Sequence, residues 1–364
     1  MKIAFYGSSL LSSYWNGAAT YYRGLLRALA ALDYEITFYE PDVYDRQKHP
    51  DMAPPPWCRV VVYEATVEAL KEIAAEAARA DIVVKASGVG FEDDRLLKEV
   101  MAAAGPDAIK VFWDVDAPAT LAQLKEEPDH PLRQALGALD LVLTYGGGDP
   151  VVAAYRDFGA RRCIPIYNAL DPTTHFPVAP DPAFACDLAF LGNRLPDRES
   201  RVEAFFLEPA AQCTEQRFLL GGSGWHDKAV PANVRYLGHV PTGQHNAFNA
   251  TPKAVLNISR TSMAETGFSP ATRVFEAAGA GACLITDYWE GIELFLQPDE
   301  EVLVARDGRD VSEILRSLSR DDASRIGRNA LRRVLSAHTY THRAKEADRL
   351  FREFRSFGAV EAAE

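Results

Sequence analysis

The chain has 364 residues, 39 Lys and Arg against 51 Asp and Glu, a formal net charge of -12 and a hydrophobic share of 48%. This length fits about two ordinary domains, each able to bury a core. The acidic balance excludes a broad basic face, so we expect no nucleic-acid partner and no attachment to an acidic membrane surface.

The cysteines and the first residues point to a reducing compartment. The five cysteines are odd in number and include no CxxC pair, which disfavours a disulfide framework or a zinc site. The sequence enters a strand-like run at Lys2 with no basic region followed by a long apolar segment, so we expect no signal peptide. No run of about 18 apolar residues occurs. We therefore expect a soluble, cytoplasmic protein without stable membrane insertion.

Short apolar runs alternate with helical patterns through the first half. The predicted strands are 2–6, 35–39, 59–63, 81–85, 109–113, 140–144 and 162–166, and the predicted helices are 18–32, 67–80, 93–104 and one near 131–139. Strands that alternate with helices pair in parallel. Residues 1–170 are therefore predicted to form an N-terminal Rossmann-like domain.

The second half repeats this alternation after a segment rich in proline. Pro172, Pro177, Pro180 and Pro182 break regular structure and predict a linker over 171–186. The predicted strands are 187–191, 217–220, 234–237, 254–258, 283–286 and 301–304, and the predicted helices are 201–208, 271–280, 311–318 and one long helix over 322–354. Ligands of such sheets bind beyond the carboxyl ends of the strands. We therefore predict two doubly wound α/β domains that face each other across a cleft and share one ligand.

Small residues follow the first predicted strand. Gly7 follows the strand, and Asn16 and Gly17 open the first helix. Small side chains let a ligand approach the backbone, and a helix N-terminus attracts anions. A tight turn capped by Asn16 explains the same residues equally well.

Two acidic residues end another strand. Asp114 and Asp116 suit a general base or a group that orients a hydroxyl. They also suit helix caps before Pro118, so both readings stay open. Asp116 is the preferred candidate because it lies further beyond the strand.

In the second half, Arg194 and Arg198 flank a glycine turn at a helix entrance. Arginine forks at a helix N-terminus suit a diphosphate, although ion pairs with Asp197 or Glu199 are the alternative. Gly222 and Ser223 offer close backbone approach, and Trp225 would stack on a base unless this segment is a plain loop.

The most informative segment is 267–287. Ser269 lies in a small, polar loop that opens a helix rich in Ala and Gly. Glu276 stands among apolar neighbours in that helix, and a buried carboxylate needs partners. A pair of ribose hydroxyls would provide them, or Arg273, three residues earlier, would pair with Glu276 instead. The histidines lack metal-ligand spacing beside a carboxylate, so we expect no metal site and no cofactor.

Together these segments resemble the GT-B glycosyltransferases over nearly the whole chain. The likeness is closest to the CgeB-like, spore-maturation-protein-like family, distantly similar to the retaining family-4 enzymes, and rests on 267–287, its continuation through Val304, Asn168–Pro172 and Gly192–Arg198. The resemblance implies a GT-B fold with a donor domain over 187–338, an acceptor domain in the first half, and a final helix in 339–364 that crosses back to the N-terminal domain.

The same resemblance implies a metal-independent, hexosyltransferase-like transfer from a nucleotide-diphosphate sugar to an acceptor hydroxyl. Glu276 would then meet the ribose, and Arg194 and Arg198 the diphosphate. The acceptor stays open between a saccharide, a protein and a small molecule. Phe268 stands where the retaining enzymes have a second glutamate, and Ala86–Gly88 replaces their acceptor-side histidine. The stereochemistry and the catalytic base therefore stay open.

Other functions fit parts of the pattern. A non-catalytic nucleotide-sugar-binding protein would keep the same fold, and so would an epimerase or a phosphorylase. An NAD(P)-dependent oxidoreductase would use Glu40, at the end of the second strand, for a ribose. The absence of GxGxxG after the first strand argues against it.

Overall fold

The fold is described from a computed structural model, which covers residues 1–14 and 16–361, with side chains through residue 356. Within this part of the chain, no helix is long and apolar enough to span a bilayer. Residues 362–364, at the end of the predicted final segment, lie outside the described residues.

The described chain divides into two compact units. The first combines Met1–Asn168 with the final helix, and the second is Ala169–Thr339. The segment 171–186, expected to be a linker, falls within the second unit.

The first unit contains a parallel sheet of order β3-β2-β1-β4-β5-β6-β7. Its strands are β1 (Lys2–Tyr6), β2 (Glu35–Asp42), β3 (Arg59–Glu64), β4 (Ile82–Ala86), β5 (Ile109–Asp114), β6 (Leu141–Thr144) and β7 (Cys163–Pro165). On either side of β1, Ile3 pairs with Ile36 of β2 and with Ile82 of β4. The strand order reverses between β1 and β4, which makes this the topological switch point of the sheet.

Helices cover both faces of this sheet. They are α1 (Ala18–Ala30), α2 (Val67–Ala75), α3 (Asp93–Ala103), α4 (Ala117–Glu126), α5 (Pro131–Ala135), α6 (Gly148–Asp157) and the final helix α14 (Tyr340–Glu361). The ring of Tyr340 packs on α1 so closely that a Cβ on Gly24 would lie 2.1 Å from it. A glycine at this position therefore lets α14 dock on the first unit.

The second unit repeats the topology with the order β10-β9-β8-β11-β12-β13. Its strands are β8 (Leu188–Leu191), β9 (Phe218–Gly221), β10 (Val234–Gly238), β11 (Ala254–Asn257), β12 (Leu284–Asp287) and β13 (Leu303–Ala305). Its helices are α7 (Pro196–Val202), α8 (Glu208–Gln212), α9 (His245–Ala250), α10 (Thr261–Thr266), α11 (Thr272–Gly279), α12 (Gly308–Ser317) and α13 (Arg320–Ala337). A π-helical segment, Glu203–Leu207, joins α7 to α8. The order reverses between β8 and β11, so a second switch point lies between these strands.

These two parallel sheets confirm the predicted class of two doubly wound α/β domains. The predicted strands are present, with ends that shift by a few residues. The single long helix predicted over 322–354 is wrong, because α13 ends at Ala337 and α14 begins at Tyr340. The backbone N–H of Leu170 donates to the carbonyl of His338 at 2.8 Å. That carbonyl is therefore taken by another segment at the point where a continuous helix would use it.

Candidate functional site

Helix α11 places Glu276 against the segment that enters the second unit. A Cβ on Gly279 would lie 2.3 Å from Cδ1 of Leu170 and 3.2 Å from the carbonyl oxygen of His175. The small residue lets α11 approach this segment closely. The imidazole of His175 consequently lies next to the Glu276 carboxylate, with 4.0 Å between Nε2 and Oε1.

The carboxylate of Glu276 is nearly buried, with 13% of its side chain exposed, and Oε2 lies 3.4 Å from Nη1 of Arg273. In the described part of the chain, no group donates a hydrogen bond to it. Burial alone would raise the pKa of Glu276, but nearby basic groups, of which Arg273 contributes most, outweigh burial and lower it. An ionised carboxylate with open acceptor positions is suited to two neighbouring hydroxyl groups.

His245 is held neutral beside this carboxylate. Burial, followed by the positive charge of Arg273, lowers the pKa of His245 to about 4. Its Nε2 lies 3.1 Å from the carbonyl oxygen of Val240, so the neutral ring can donate there. The positive charge next to Glu276 therefore comes chiefly from Arg273.

Three arginines, here called the arginine cluster, gather at the switch point of the second sheet: Arg198 in α7, Arg260 after β11 and Arg273 in α11. Burial lowers the pKa of Arg198, and the charges of Arg273 and Arg260 lower it further. Nε of Arg198 and Nη1 of Arg273 are buried and have no hydrogen-bond partner in the described chain. Concentrated positive charge with unused hydrogen-bond donors indicates a binding site for an anion.

Acidic residues hold the loops that carry the arginine cluster. Nε of Arg260 donates to Asp197 at 2.5 Å, and the Thr261 hydroxyl donates to the Asp197 carbonyl at 3.0 Å. The fully buried Asp287 accepts from the backbone N–H of Ser259 at 3.0 Å and from Arg201 at 2.6 Å. These bonds tie together the loops after β8, β11 and β12.

Arg194 lies apart from this cluster in the hydrogen-bond network. Its guanidinium donates twice to Glu199, at 2.8 and 2.7 Å, and once to Asp227 at 2.8 Å. Hydrogen bonds from Arg194 and then Lys228 lower the pKa of Glu199 to about 2. Of the two arginines predicted to meet a diphosphate, Arg198 is thus the one with a donor to spare.

The expectation that Trp225 stacks on a base is not compatible with its position. The side chain is only 1% exposed, and its Nε1 donates to the carbonyl of Gly192 at 2.8 Å. Gly222, at φ +116°, approaches the same carbonyl, since an added Cβ would lie 2.2 Å from that oxygen. The backbone N–H of Ser223 donates to Asn193. In this structure Gly222, Ser223 and Trp225 therefore brace the loop after β8.

The loop before α11 is strained and folded on itself. Gly267 has φ +72° and Phe268 has φ +48°, which is uncommon for a bulky residue and often marks a functional loop. The Ser269 hydroxyl donates to the Gly267 carbonyl at 2.9 Å. Ser269 consequently supports this turn at the entrance of α11.

In the first unit, the carboxylate of Asp114 is held by hydrogen bonds from several parts of the chain. Its buried carboxylate accepts hydrogen bonds from Tyr155 (2.5 Å), Ser87 (2.7 Å), Thr120 (3.0 Å) and the N–H of Asp116 (2.9 Å). Burial raises the pKa of Asp114, opposed by these bonds. The predicted catalytic role of Asp114 is therefore replaced by a positioning role, because its acceptor capacity is used within the protein. Asp116, the preferred candidate, is the N-cap residue directly before α4, makes no capping hydrogen bond with its side chain and is less buried.

The small residues after β1 differ from one another in their surroundings. A Cβ on Gly7 would lie 2.6 Å from the Phe38 ring, so glycine is needed there for packing. The side chain of Asn16 is buried and donates to the carbonyls of Ser9 and Ser12, so it braces the loop rather than capping α1. Gly17 faces open space.

The structure argues against the oxidoreductase alternative. Glu40 is fully buried. Its carboxylate accepts from the Ser9 hydroxyl, the Gln47 amide and the N–H groups of Leu10 and Leu11. Those donors leave it no acceptor position for a ribose.

Sequence reasoning missed several members of the site. Arg260 follows β11 directly, and the rule that ligands bind beyond strand ends would have found it. His175 was missed because it lies in the segment predicted as a linker. His245 was missed as a site residue because it lies in a helix that was not predicted. No group of three or more His, Cys, Asp or Glu in residues 1–14 and 16–361 is arranged to hold a metal ion.

Known proteins resemble this chain in part of its sequence and in its fold. Residues 198–349 match the model of a family described as glycosyl transferase-like. No curated protein matches the chain. Among solved structures, HepE from Anabaena is 13% identical with TM-score 0.67, covering 97% of this chain and 100% of its own. Sucrose-phosphate synthase from Thermosynechococcus elongatus is 16% identical with TM-score 0.68, and both chains are covered in full, 100% each.

A third similar structure is an alpha-glucosyltransferase in complex with UDP-glucose and DNA containing an abasic site. It is 11% identical with TM-score 0.72, covering 96% of this chain and 99% of its own. At these identities the likeness establishes the fold, which is that of the GT-B glycosyltransferases. The fold and the family match together support a GT-B glycosyltransferase.

Proposed function

We propose that this chain transfers a hexose from a uridine-diphosphate sugar to an acceptor hydroxyl, with Glu276 binding the ribose of the donor. The observation that carries the proposal is the ionised, nearly buried Glu276 carboxylate, which accepts no hydrogen bond in the described chain. A ribose presents two adjacent hydroxyl donors to such a group. The segment around Glu276 also supports a CgeB-like branch of the family.

The nucleotide is inferred from the similar structures. HepE was solved with UDP and glucose, with UDP-glucose and with UDP. The alpha-glucosyltransferase was solved with UDP-glucose. These complexes favour uridine as the base and glucose or a related hexose as the sugar.

The arginine cluster is the proposed diphosphate site. When the bond between the anomeric carbon and the diphosphate oxygen breaks, negative charge develops on the departing UDP. Arg198 and Arg273 would stabilise this charge, aided by the N-terminus of α11. Because the guanidinium groups supply the positive charge, we propose that transfer needs no divalent metal.

The acceptor would be handled by the first unit. Asp116 is the proposed group that orients the acceptor hydroxyl or takes its proton as the acceptor oxygen bonds to the anomeric carbon. Asp114 holds the Asp116 backbone N–H at 2.9 Å and so fixes the start of α4 at the end of β5.

A ligand screen coupled to a UDP-release assay tests the proposal. Melting temperature is measured with UDP-, GDP-, ADP- and dTDP-sugars, because a ligand that binds the native state raises it. We expect UDP-glucose or a related UDP-hexose to give the largest rise and to release UDP slowly by hydrolysis. Absence of a rise with any sugar nucleotide would overturn the proposal. Binding without UDP release would indicate a non-catalytic binding protein.

A further inference from the structure

A cavity of about 260 Å³ opens in the first unit among α3, α4, α5 and the ends of β4 and β5. Most of the residues that line it are polar, and three buried apolar side chains, Leu97, Phe112 and Leu132, form the part of the lining that is here called the floor. Ligand pockets combine such a floor with a few fixed polar groups, and those for drug-sized molecules begin at about 300 Å³. This cavity therefore has room for a single ring.

The wall of the cavity carries a donor and an acceptor that make no hydrogen bond within the described chain, and the acceptor, on Asp94, belongs to a side chain that is 56% exposed to solvent. Nδ1 of His130 accepts the backbone N–H of Leu132 at 3.1 Å, so the proton of the neutral ring lies on Nε2. That Nε2 is 3.8 Å from Oδ1 of Asp94, too far for a hydrogen bond. Neither group has a hydrogen bond in the described chain.

This pair is suited to a hydroxyl group. A hydroxyl both donates and accepts, so an oxygen that lies to one side of the pair, within hydrogen-bond distance of both atoms, can accept from His130 Nε2 and donate to Asp94. The exposed amide of Gln123 also lines the cavity and makes no side-chain hydrogen bond in the described residues. Several unused donors and acceptors above an apolar floor match a ring that carries hydroxyl groups.

The charge of the cavity selects against anions. The ammonium group of Lys85 is 4% exposed and lies 2.6 Å from Oδ1 of Asp93, so Asp93 compensates its charge. Of the residues that line the cavity, Asp93 and Asp94 are acidic, whereas Lys85 is the single lysine and no arginine is present. A phosphate or a carboxylate on the ring would therefore be repelled.

The cavity also borders the proposed catalytic loop. Thr120, in its wall, donates to the carbonyl of Asp116 at 3.3 Å and to Asp114 at 3.0 Å. Ser87, at the end of β4, also lines it. It thus lies beside the loop whose Asp116 is proposed to handle the acceptor hydroxyl.

We infer that this cavity binds one uncharged sugar ring, and that this ring is the acceptor of the transfer. The second half of the inference rests on the proposed function. The first half stands by itself, because it depends on the His130 and Asp94 pair and on the charge of the cavity.

Saturation-transfer NMR on the full chain tests the inference. The probes are the methyl glycosides of glucose, galactose and mannose, with glucose 6-phosphate and glucuronate as charged counterparts. We expect at least one neutral glycoside to bind and the charged sugars to bind at least about tenfold more weakly. Asp94→Asn and His130→Asn, which keeps an acceptor for the Leu132 N–H, should each weaken binding about tenfold.

Glu99→Gln, on the same helix but outside the cavity, is the matched control and should bind as the wild type does. Binding of no neutral glycoside, equal binding of the charged sugars, or unchanged binding by both variants would overturn the inference. UDP binding is measured on the wild-type chain in the same series. If the chain bound a glycoside but not UDP, the proposed function would be wrong. The inference that the cavity binds a sugar would still be supported.

Discussion

Nη1 of Arg273 lies 3.4 Å from Oε2 of Glu276, one turn later on the same helix, yet this buried nitrogen has no hydrogen-bond partner in the described chain. The two charges attract each other, but the geometry leaves a donor and an acceptor unused. Buried polar groups without partners are costly unless a ligand completes them. These unused groups support the proposed site for a ribose beside a diphosphate.

Arg198→Ala should lower the kcat of transfer about 10²-fold, since it removes a donor to the departing diphosphate. Arg194→Ala is the matched control in the same loop. Because Arg194 is engaged by Glu199 and Asp227, its loss should lower the melting temperature and leave kcat nearly unchanged. UDP release at saturating donor gives the comparison. A larger kcat loss in Arg194→Ala than in Arg198→Ala would reverse the assignment.

Substitution of Asp114 should affect mainly the stability of the protein, and substitution of Asp116 should affect mainly catalysis. Asp114→Ala leaves the Tyr155 hydroxyl and three further donors without their acceptor and should lower the free energy of unfolding by about 3 to 5 kcal/mol. Asp116→Ala should lower kcat and cost less stability than Asp114→Ala, because Asp116 is less buried. Urea unfolding and UDP release are measured on both variants. Full activity in Asp116→Ala would remove it from the mechanism.

His245 should make stability depend on pH. Its pKa falls from the ordinary 6.5 to about 4 in the folded protein, so the unfolded chain binds the proton first as the pH drops. The free energy of unfolding should therefore fall between those pH values, on the order of 2 kcal/mol after solvent screening. His245→Gln should lose this component, whereas His226→Gln, on an exposed loop, should retain it. Identical pH profiles for wild type and His245→Gln would contradict the prediction.

Chelation of divalent metals should leave transfer unchanged, because the arginine cluster supplies the charge that opposes the leaving diphosphate. The rate of UDP release is compared in EDTA and in added Mg²⁺. If EDTA abolished activity and Mg²⁺ restored it, a metal ion would be shown to help neutralise the charge of the leaving diphosphate.

The sheets could be predicted because buried parallel strands are short apolar runs separated by helical patterns. The break between α13 and α14 could not be, since it depends on a backbone bond from Leu170, a residue far away in the sequence. The short helices α9 and α10 were missed because their few residues show no clear periodicity.

Single polar residues were harder to assign than strands. Glu276 could be selected because a carboxylate amid apolar residues needs partners. The sequence could not distinguish Arg198 from Arg194, since only the fold brings Asp227 to Arg194. Likewise, the four donors around Asp114 come from α6, from the residue after β4 and from the start of α4, so only the folded chain shows that its carboxylate is used within the protein.

The most direct measurement is the ratio of the Kd values for 2′,3′-dideoxy-UDP and UDP, by calorimetry, on the wild type, Glu276→Ala and the exposed control Glu293→Ala. If Glu276 binds the ribose, the wild type and Glu293→Ala should prefer UDP about 10- to 100-fold, as expected for hydrogen bonds to a charged group. Glu276→Ala should bind the two nucleotides equally while remaining folded. An undiminished preference for UDP in Glu276→Ala would contradict the ribose assignment.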